Sequence, residues 1–163
     1  IAVPAEDHEG VLAVAARRAS IAVMPFGDQS GDAQSGGGIA DALAHDVITR
    51  LAKLRVLFVI AQGTVFALRE RGIGPEEAGR MLKVDYVVGG SVRRHGRRLT
   101  VAVELSETQT SRIVWAETLN YAADDALLAL DEIGNRIVAS IPSVVPDTRA
   151  ASANRCSTHV NTA

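Results

Sequence analysis

The sequence predicts an α/β fold with a mixed five-stranded sheet, and three observations lead to this prediction. Two short, fully apolar segments, Ile21–Met24 and Val56–Ile60, flank a stretch of helical periodicity. A later stretch alternates apolar and polar residues, which is typical of an antiparallel strand with one solvated face. Near the end of the predicted domain, apolar residues at helical spacing predict an amphipathic helix. The predicted order is a βαβ unit, two helices, a three-stranded antiparallel meander and a C-terminal helix.

The first strand is predicted over 20–26, because four consecutive apolar residues indicate a strand that is buried on both faces. Pro25 is expected to stop further ladder pairing, since it has no N–H to donate. Gly27 to Gly38 is polar and rich in glycine, which predicts a twelve-residue loop.

The next segment, 39–54, has apolar residues at intervals of three or four, which predicts an amphipathic helix. Its apolar face comprises Ile39, Leu43, Val47, Leu51 and Leu54. Val56–Ile60 is the second buried strand. Crossover connections between parallel strands are nearly always right-handed, so we expect the two strands to be parallel neighbours or near neighbours.

Two shorter helices are predicted before the pattern changes. The first covers 64–71 and ends at Gly72. The second begins at Pro75, which suits a first helical turn, and two glutamates follow near its positive end. Its expected apolar face is formed by Ala78, Met81 and Leu82.

The meander is predicted over 85–94, 97–106 and 112–120, with tight turns at His95-Gly96 and over 107–111. In the middle strand the apolar residues share one face and the polar or small residues the other. The apolar residues are Leu99, Val101, Val103 and Leu105; the others are Arg98, Thr100, Ala102 and Glu104. The third strand carries the single Trp.

The last helix is predicted over 124–141, with Pro142 and Pro146 ending it. Its apolar residues are Leu127, Leu130, Ile133, Ile137 and Ile141. The predicted domain therefore covers 20–142, after a connecting helix over 1–19. Residues 143–163 are polar and are predicted to be a disordered tail. Because the chain begins with Ile rather than Met, we expect an excised fragment or a processed product.

Composition limits the classes of function. The net charge of −2 argues against a general nucleic-acid binder, which usually has a strongly basic face. No apolar run reaches the roughly 18–20 residues that span a bilayer. The single Cys excludes a disulfide within the chain, and the four His residues lack metal-ligand spacing. No nucleophile motif is present. We therefore predict no catalytic residue, metal or cofactor.

Two groups of residues are candidate sites. The first is an anion site in the glycine-rich loop, because exposed N–H groups before a helix attract anions. Its candidate residues are Ser30, Gly31, Gly36, Gly37 and Gly38. The alternative is a connection whose glycines ease the helix start, since the Lys and Ser/Thr of a P-loop are absent and two aspartates would repel phosphate.

The second candidate is a basic hairpin formed by Arg93, Arg94, Arg97 and Arg98, next to His95. Four guanidinium groups could grip phosphate, a nucleic-acid backbone or an acidic partner. The alternative is a solvated hairpin tip whose charges prevent edge aggregation. No aromatic residue lies between the arginines, which weakens the single-strand nucleic-acid interpretation.

The motifs of this chain resemble a TolB-like amino-terminal domain, in the right order and spacing from about 20 to 141. The matching segments are Ser20–Phe26, Ser30–Asp32, Ala40–Asp41, Asp46–Leu51, Val84–Arg94, Leu99–Leu105, Val114–Glu117 and Leu130–Ile133. The resemblance implies a mixed α/β fold like that of anticodon-binding domains, and a non-catalytic role. It also implies a place downstream of a class III adenylate/guanylate cyclase domain or a winged-helix regulator domain. Tetratricopeptide repeats often follow such domains.

We therefore expect a regulatory or interaction domain of a bacterial signalling protein, which acts through contacts with neighbouring domains of its parent chain or through a homodimer. The expected compartment is the cytoplasm, with the periplasm as the alternative because TolB itself is periplasmic. A second hypothesis is a sensor of a small anion that uses the Gly27–Gly38 loop at a strand end. A third is nucleic-acid binding through the basic hairpin.

Overall fold

The computed structural model describes residues 18–31, 38–122 and 126–145, which form six strands of one mixed sheet and four helices. The elements in chain order are β1 (Ala19–Val23), β2 (Gly27–Asp28), α1 (Gly38–Lys53), β3 (Leu57–Val59), α2 (Gln62–Glu70), α3 (Pro75–Leu82), β4 (Tyr86–His95), β5 (Arg98–Glu107), β6 (Arg112–Ala122) and α4 (Ala126–Val144). The predicted leader helix, apart from its last two residues, and the tail beyond Val145 lie outside the described residues.

The predicted parallel pairing of the first two buried strands is confirmed. In the order β3-β1-β4-β5-β6, β1 lies between two parallel partners. Its residues Ile21, Ala22 and Val23 are fully buried, as expected of a central strand. At the start of the pairing with β4, the Ser20 N–H donates to Asp85 Oδ2 over 2.8 Å, and the Asp85 N–H donates to Ser20 Oγ over 2.9 Å.

The sheet has six strands, so the prediction of five was wrong by one short strand. The chain resumes pairing after Pro25, and the two residues of β2 run parallel to β4, with Gly27 opposite Ser91 and Asp28 opposite Val92. Pro25 interrupts the ladder without ending it, because the following residues lie against a neighbouring strand that is long enough to receive them. The first two residues of the predicted Gly27–Gly38 loop therefore belong to a strand.

The meander is confirmed, with antiparallel pairing of β4 with β5 and of β5 with β6. The predicted alternation in β5 matches burial: Leu99, Val101, Val103 and Leu105 are buried, and none of the residues between them is. The β4–β5 turn consists of Gly96 and Arg97, one residue later than predicted. Gly96 has a φ of 58°, which a type II′ turn requires at its first loop position.

The helices lie on both faces of the sheet. α1 and α4 contact each other and cover the face that carries the buried residues of β5. Arg136 of α4 pairs with Glu117, which lies opposite Val103 on this face. α3 lies on the other face, where its Gly79 packs on Val87 and its Pro75 on Gly89.

Three details of the helix predictions were wrong. Pro142 lies inside α4, although it removes one backbone hydrogen bond and its ring crowds the preceding turn. The last turn is held by burial of Ile141 and by the Val145 N–H, which donates to the Ile141 carbonyl over 3.1 Å. Leu54 follows the end of α1, so its side chain leaves the apolar face, and Met81 of α3 is also exposed. The side chain of Leu127 is outside the described set.

Candidate interaction surface

The segment after β1 is fastened along β4 and ends at the basic hairpin. The Phe26 side chain is buried over Gly90, a position with no Cβ to obstruct its ring. Beyond β2, the Gln29 N–H donates to the Val92 carbonyl over 2.8 Å, and the Arg94 N–H donates to Ser30 Oγ over 2.9 Å. The structure thus brings one residue of the predicted anion site to one residue of the predicted basic patch.

The backbone N–H of Ser30 is already used within the protein. Its N–H donates to Asp28 Oδ1 over 2.9 Å, and its hydroxyl oxygen accepts from the Arg94 N–H. The hydroxyl and the amide of Ser30 together lower the pKa of Asp28. A carboxylate therefore occupies the place that an exogenous anion would take at this residue.

The remaining residues of the predicted anion site are only partly described. Gly31 is exposed with a φ of 79°, and Gly38 is the exposed first residue of α1. Gly36 and Gly37 lie outside the described residues. The anion site therefore stays a prediction.

The four arginines of the basic hairpin are all exposed. None of them forms an ion pair with a carboxylate of 18–31, 38–122 or 126–145. The pairing register divides them between two faces: Arg94 lies opposite Leu99, and Arg93 lies opposite Thr100. Arg98, opposite His95, shares the face of Arg93. The patch therefore presents positive charge to both sides of the hairpin.

The face of Arg93 and Arg98 continues into a part of the sheet that we call the open face. It is formed by the outward residues of β4, β5 and β6, none of which is buried. They are Gly89, Ser91, Arg93, His95, Arg98, Thr100, Ala102, Glu104, Ala116, Thr118, Asn120 and Ala122. Thr100 Oγ1 donates to Asn120 Oδ1 over 2.9 Å across two strands of this face. Sequence reasoning missed the open face as a unit, although the polar alternation in β5 was its signal.

Several polar residues outside the two candidate sites have structural partners. His45 Nδ1 contacts Gln62 Oε1, which joins α1 to the start of α2. Asp131 is exposed and pairs with Arg50. Arg50 also contacts Asp46, over 2.7 Å, so it connects α1 with α4. Hydrogen bonds to these two aspartates raise the pKa of Arg50.

A shallow depression lies beside α3. It is lined by Pro75, Glu76, Val87, Ser106, Glu107, Thr108 and Ser111. Thr108 Oγ1 is buried at this end of the sheet and makes no hydrogen bond. Within the described ranges, no group of three or more His, Cys, Asp or Glu residues is placed to hold a metal ion.

None of the helices in the described residues has both the length and the apolar character needed to cross a bilayer.

The fold is similar to several solved structures. Lipoprotein GNA1162 from Neisseria meningitidis matches 75% of this chain and 99% of its own, with a TM-score of 0.52 and 15% identity. TolB from Acinetobacter baumannii matches 82% of this chain and 30% of its own, with a TM-score of 0.52 and 16% identity. The LpoB C-terminal domain from Salmonella enterica matches 64% and 83%, with a TM-score of 0.50 and 14% identity. At these identities the likeness shows the fold alone, and the predicted resemblance to TolB is confirmed at that level.

Two sequence comparisons give closer relations. A curated protein of Rhizobium meliloti (strain 1021), named "Putative adenylate cyclase 3", is 37% identical over 119 residues, which is 73% of this chain. The chain spans only 20% of that relative's length. The family model of the HilA/YgeH-like transcriptional regulator second domain matches residues 17–138, which include nearly all of the described elements. The chain therefore belongs to the family of HilA/YgeH-like transcriptional regulator second domains.

Proposed function

We propose that this chain is a non-catalytic regulatory domain of a bacterial signalling protein, and that it acts through contacts with neighbouring domains. Its family is named for the second domain of transcriptional regulators, and its curated relative is named as a cyclase. The chain covers a fifth of that relative. We propose that the parent's catalytic or DNA-binding activity resides in other parts of the parent. By the same resemblance we propose a cytoplasmic location, and a winged-helix or cyclase domain upstream.

The observation that carries this proposal is the basic hairpin. Its arginines stand on a pair of strands whose ten residue pairs continue without a break from Tyr86 to His95. The β4 side of the hairpin is also fastened through Ser30. A rigid base lowers the entropy lost on binding, so a partner with acidic side chains would meet cations that are already in place.

Two observations favour this role over the alternatives. The N–H of Ser30 already donates to Asp28, which weakens the case for an anion sensor in the loop. The open face carries no Phe, Tyr or Trp, although stacking platforms for single-stranded nucleic acid need such residues.

The test uses the full-length gene product and two variants that each remove four positive charges. One variant changes Arg93, Arg94, Arg97 and Arg98 to Gln. The matched control changes Arg71, Arg80, Lys83 and Arg112 to Gln, all exposed and distant in sequence from the hairpin turn. We expect the hairpin variant to change the regulated output, whether cyclic-nucleotide synthesis or promoter activity, by fivefold or more. We expect the control to leave it within twofold.

Equal outputs from the two variants would contradict the proposal. So would turnover of ATP or another nucleotide by the purified chain alone, because the proposed role contains no catalytic step. Circular dichroism of both variants shows whether the fold is retained, so that a loss of output can be assigned to the surface.

A further inference from the structure

The open face has a charge pattern that is complementary to itself. The pairing registers place its residues in rows across β4, β5 and β6, and the row nearest the hairpin turn consists of His95, Arg98 and Ala122. Three rows further along, Gly89, Glu104 and Ala116 form the corresponding row. One end of the face is therefore positive and the other is negative.

The two ends are separated by a distance that suits a symmetric contact. Arg98 and Glu104 are six residues apart on β5, which corresponds to about 20 Å along an extended strand. Beyond Glu104, the first turn of α3 adds two exposed glutamates, Glu76 and Glu77, on the same side of the sheet. Arg93 adds a second cation one row from the hairpin end.

We infer that the open face binds a second copy of this chain, with the two sheets stacked face to face and their strands antiparallel. A two-fold axis that crosses β5 between Thr100 and Ala102 brings Arg98 of one copy over Glu104 of the other, twice. Such an interface is self-complementary, as two-fold symmetry requires. The reversed direction matters, because parallel stacking would place the arginines over each other.

The side chains between the charged rows allow this contact. The two central rows contain Ser91, Ala102 and Thr118 in one, and Arg93 with Thr100 and Asn120 in the other. Sheets stack at about 10 Å when their facing side chains interdigitate. Four of these six side chains are small, and the two larger ones, Arg93 and Asn120, stand on the flanking strands β4 and β6. α3 bounds the face at Gly89, where Pro75 is in contact.

The size of the open face predicts a weak dimer. Three strands of about 4.8 Å spacing and seven residues of about 3.3 Å rise give a footprint of about 300 Å². Stable interfaces bury about 800 Å² per partner, so we expect a dissociation constant of about 100 µM. The pairs are exposed at the rim, so the association should weaken as salt rises.

The test is sedimentation equilibrium of the full chain from about 10 µM to 1 mM, at low and high salt. We expect Arg98→Glu and Glu104→Arg each to weaken self-association at least tenfold, because like charges then face each other. The double variant Arg98→Glu/Glu104→Arg should return to within threefold of the wild type. The matched controls Arg112→Glu and Glu132→Arg, which change exposed charges outside the open face, should have little effect.

Three results would each overturn the inference: a wild-type chain that stays monomeric at 1 mM, a dimer that neither single variant weakens, or a double variant that does not recover. A dimer would couple two parent chains, and this functional meaning of the dimer rests on the regulatory role proposed above. The two proposals fail separately. If the chain is monomeric but the output of the full-length protein still changes in the hairpin variant, only the dimer is refuted. If the chain is dimeric but that output does not change in the hairpin variant, only the proposed contact with neighbouring domains is refuted.

Discussion

Replacing Gly90 by Ala should test the packing that fastens the segment after β1 to the sheet. A Cβ at Gly90 would lie 2.3 Å from the Ala102 carbonyl oxygen and 2.6 Å from two ring atoms of Phe26. The backbone of β5 cannot rotate out of the way as a side chain can, so either the ladder or the buried ring must move. Overpacking of a core costs about 1–3 kcal/mol, and a weakened ladder hydrogen bond adds about 1 kcal/mol. We expect the free energy of unfolding to fall by about 2–4 kcal/mol.

Urea unfolding, followed by the fluorescence of the single Trp115, measures this loss. With a slope of about 2 kcal/mol per M, the midpoint should fall by about 1–2 M. The control is Gly63→Ala in α2, where a Cβ meets no atom within 4 Å. This control should stabilise the protein by up to about 1 kcal/mol, because Ala favours a helix more than Gly does. The reasoning is refuted if Gly90→Ala unfolds within about 0.3 M of the wild type, a limit well below the shift worked from the slope.

Three further predictions concern the core, the loop and alkaline stability. Leu105→Ala should lower the free energy of unfolding by about 2–5 kcal/mol, because the Leu105 side chain is fully buried. The same urea assay measures this loss, and its slope should not change. A loss below about 1 kcal/mol would show instead that the core closes around the deleted side chain. Ser30→Ala leaves one backbone N–H of β4 without its acceptor, so hydrogen exchange at that amide should accelerate at least tenfold while exchange in the centre of the sheet stays unchanged. Burial, with the nearby carboxylates of Glu107 and Asp85, raises the pKa of Tyr86 above its ordinary value of 10.0. The stability that the neutral Tyr86 phenol contributes is therefore complete below pH 10 and is lost as the pH rises through the folded-state pKa. The thermal midpoints of the wild type and of Tyr86→Phe should then differ by a constant amount below pH 10 and move apart above it.

Periodicity located most elements of the fold, because burial on one or both faces determines the spacing of apolar residues in the sequence. The alternation around Leu99–Leu105 predicted both the strand and its buried face, and the apolar runs around Ile21 and Val59 predicted the parallel pair. β2 has no such pattern of apolar residues. Two residues, one of them glycine, become a strand only because β4 extends past the end of β1.

The candidate surface was predicted in pieces and not as a whole. The arginines of the hairpin follow from local sequence, since a tight turn brings its neighbours together. The bond between Ser30 and Arg94 joins residues 64 positions apart, and the register of three strands decides which polar residues share the open face. Neither follows from periodicity alone. Pro142 was misjudged because burial of Ile141 on the core face outweighs the local cost of the proline, which is a lost hydrogen bond and a crowded preceding turn.

The central place of β4 has a consequence for the order in which the chain folds. β4, β5 and β6 are consecutive, and turns over 96–97 and 108–111 connect them, so their pairing closes only short loops. β1, in contrast, meets β4 across a separation of about 65 residues, since Ile21 lies opposite Tyr86. Short loops close at a lower entropic cost, so we expect the meander to form early and to offer the unpaired edge of β4 as a template. We therefore expect the βαβ half, β1 to β3, to dock on that edge after the meander has formed.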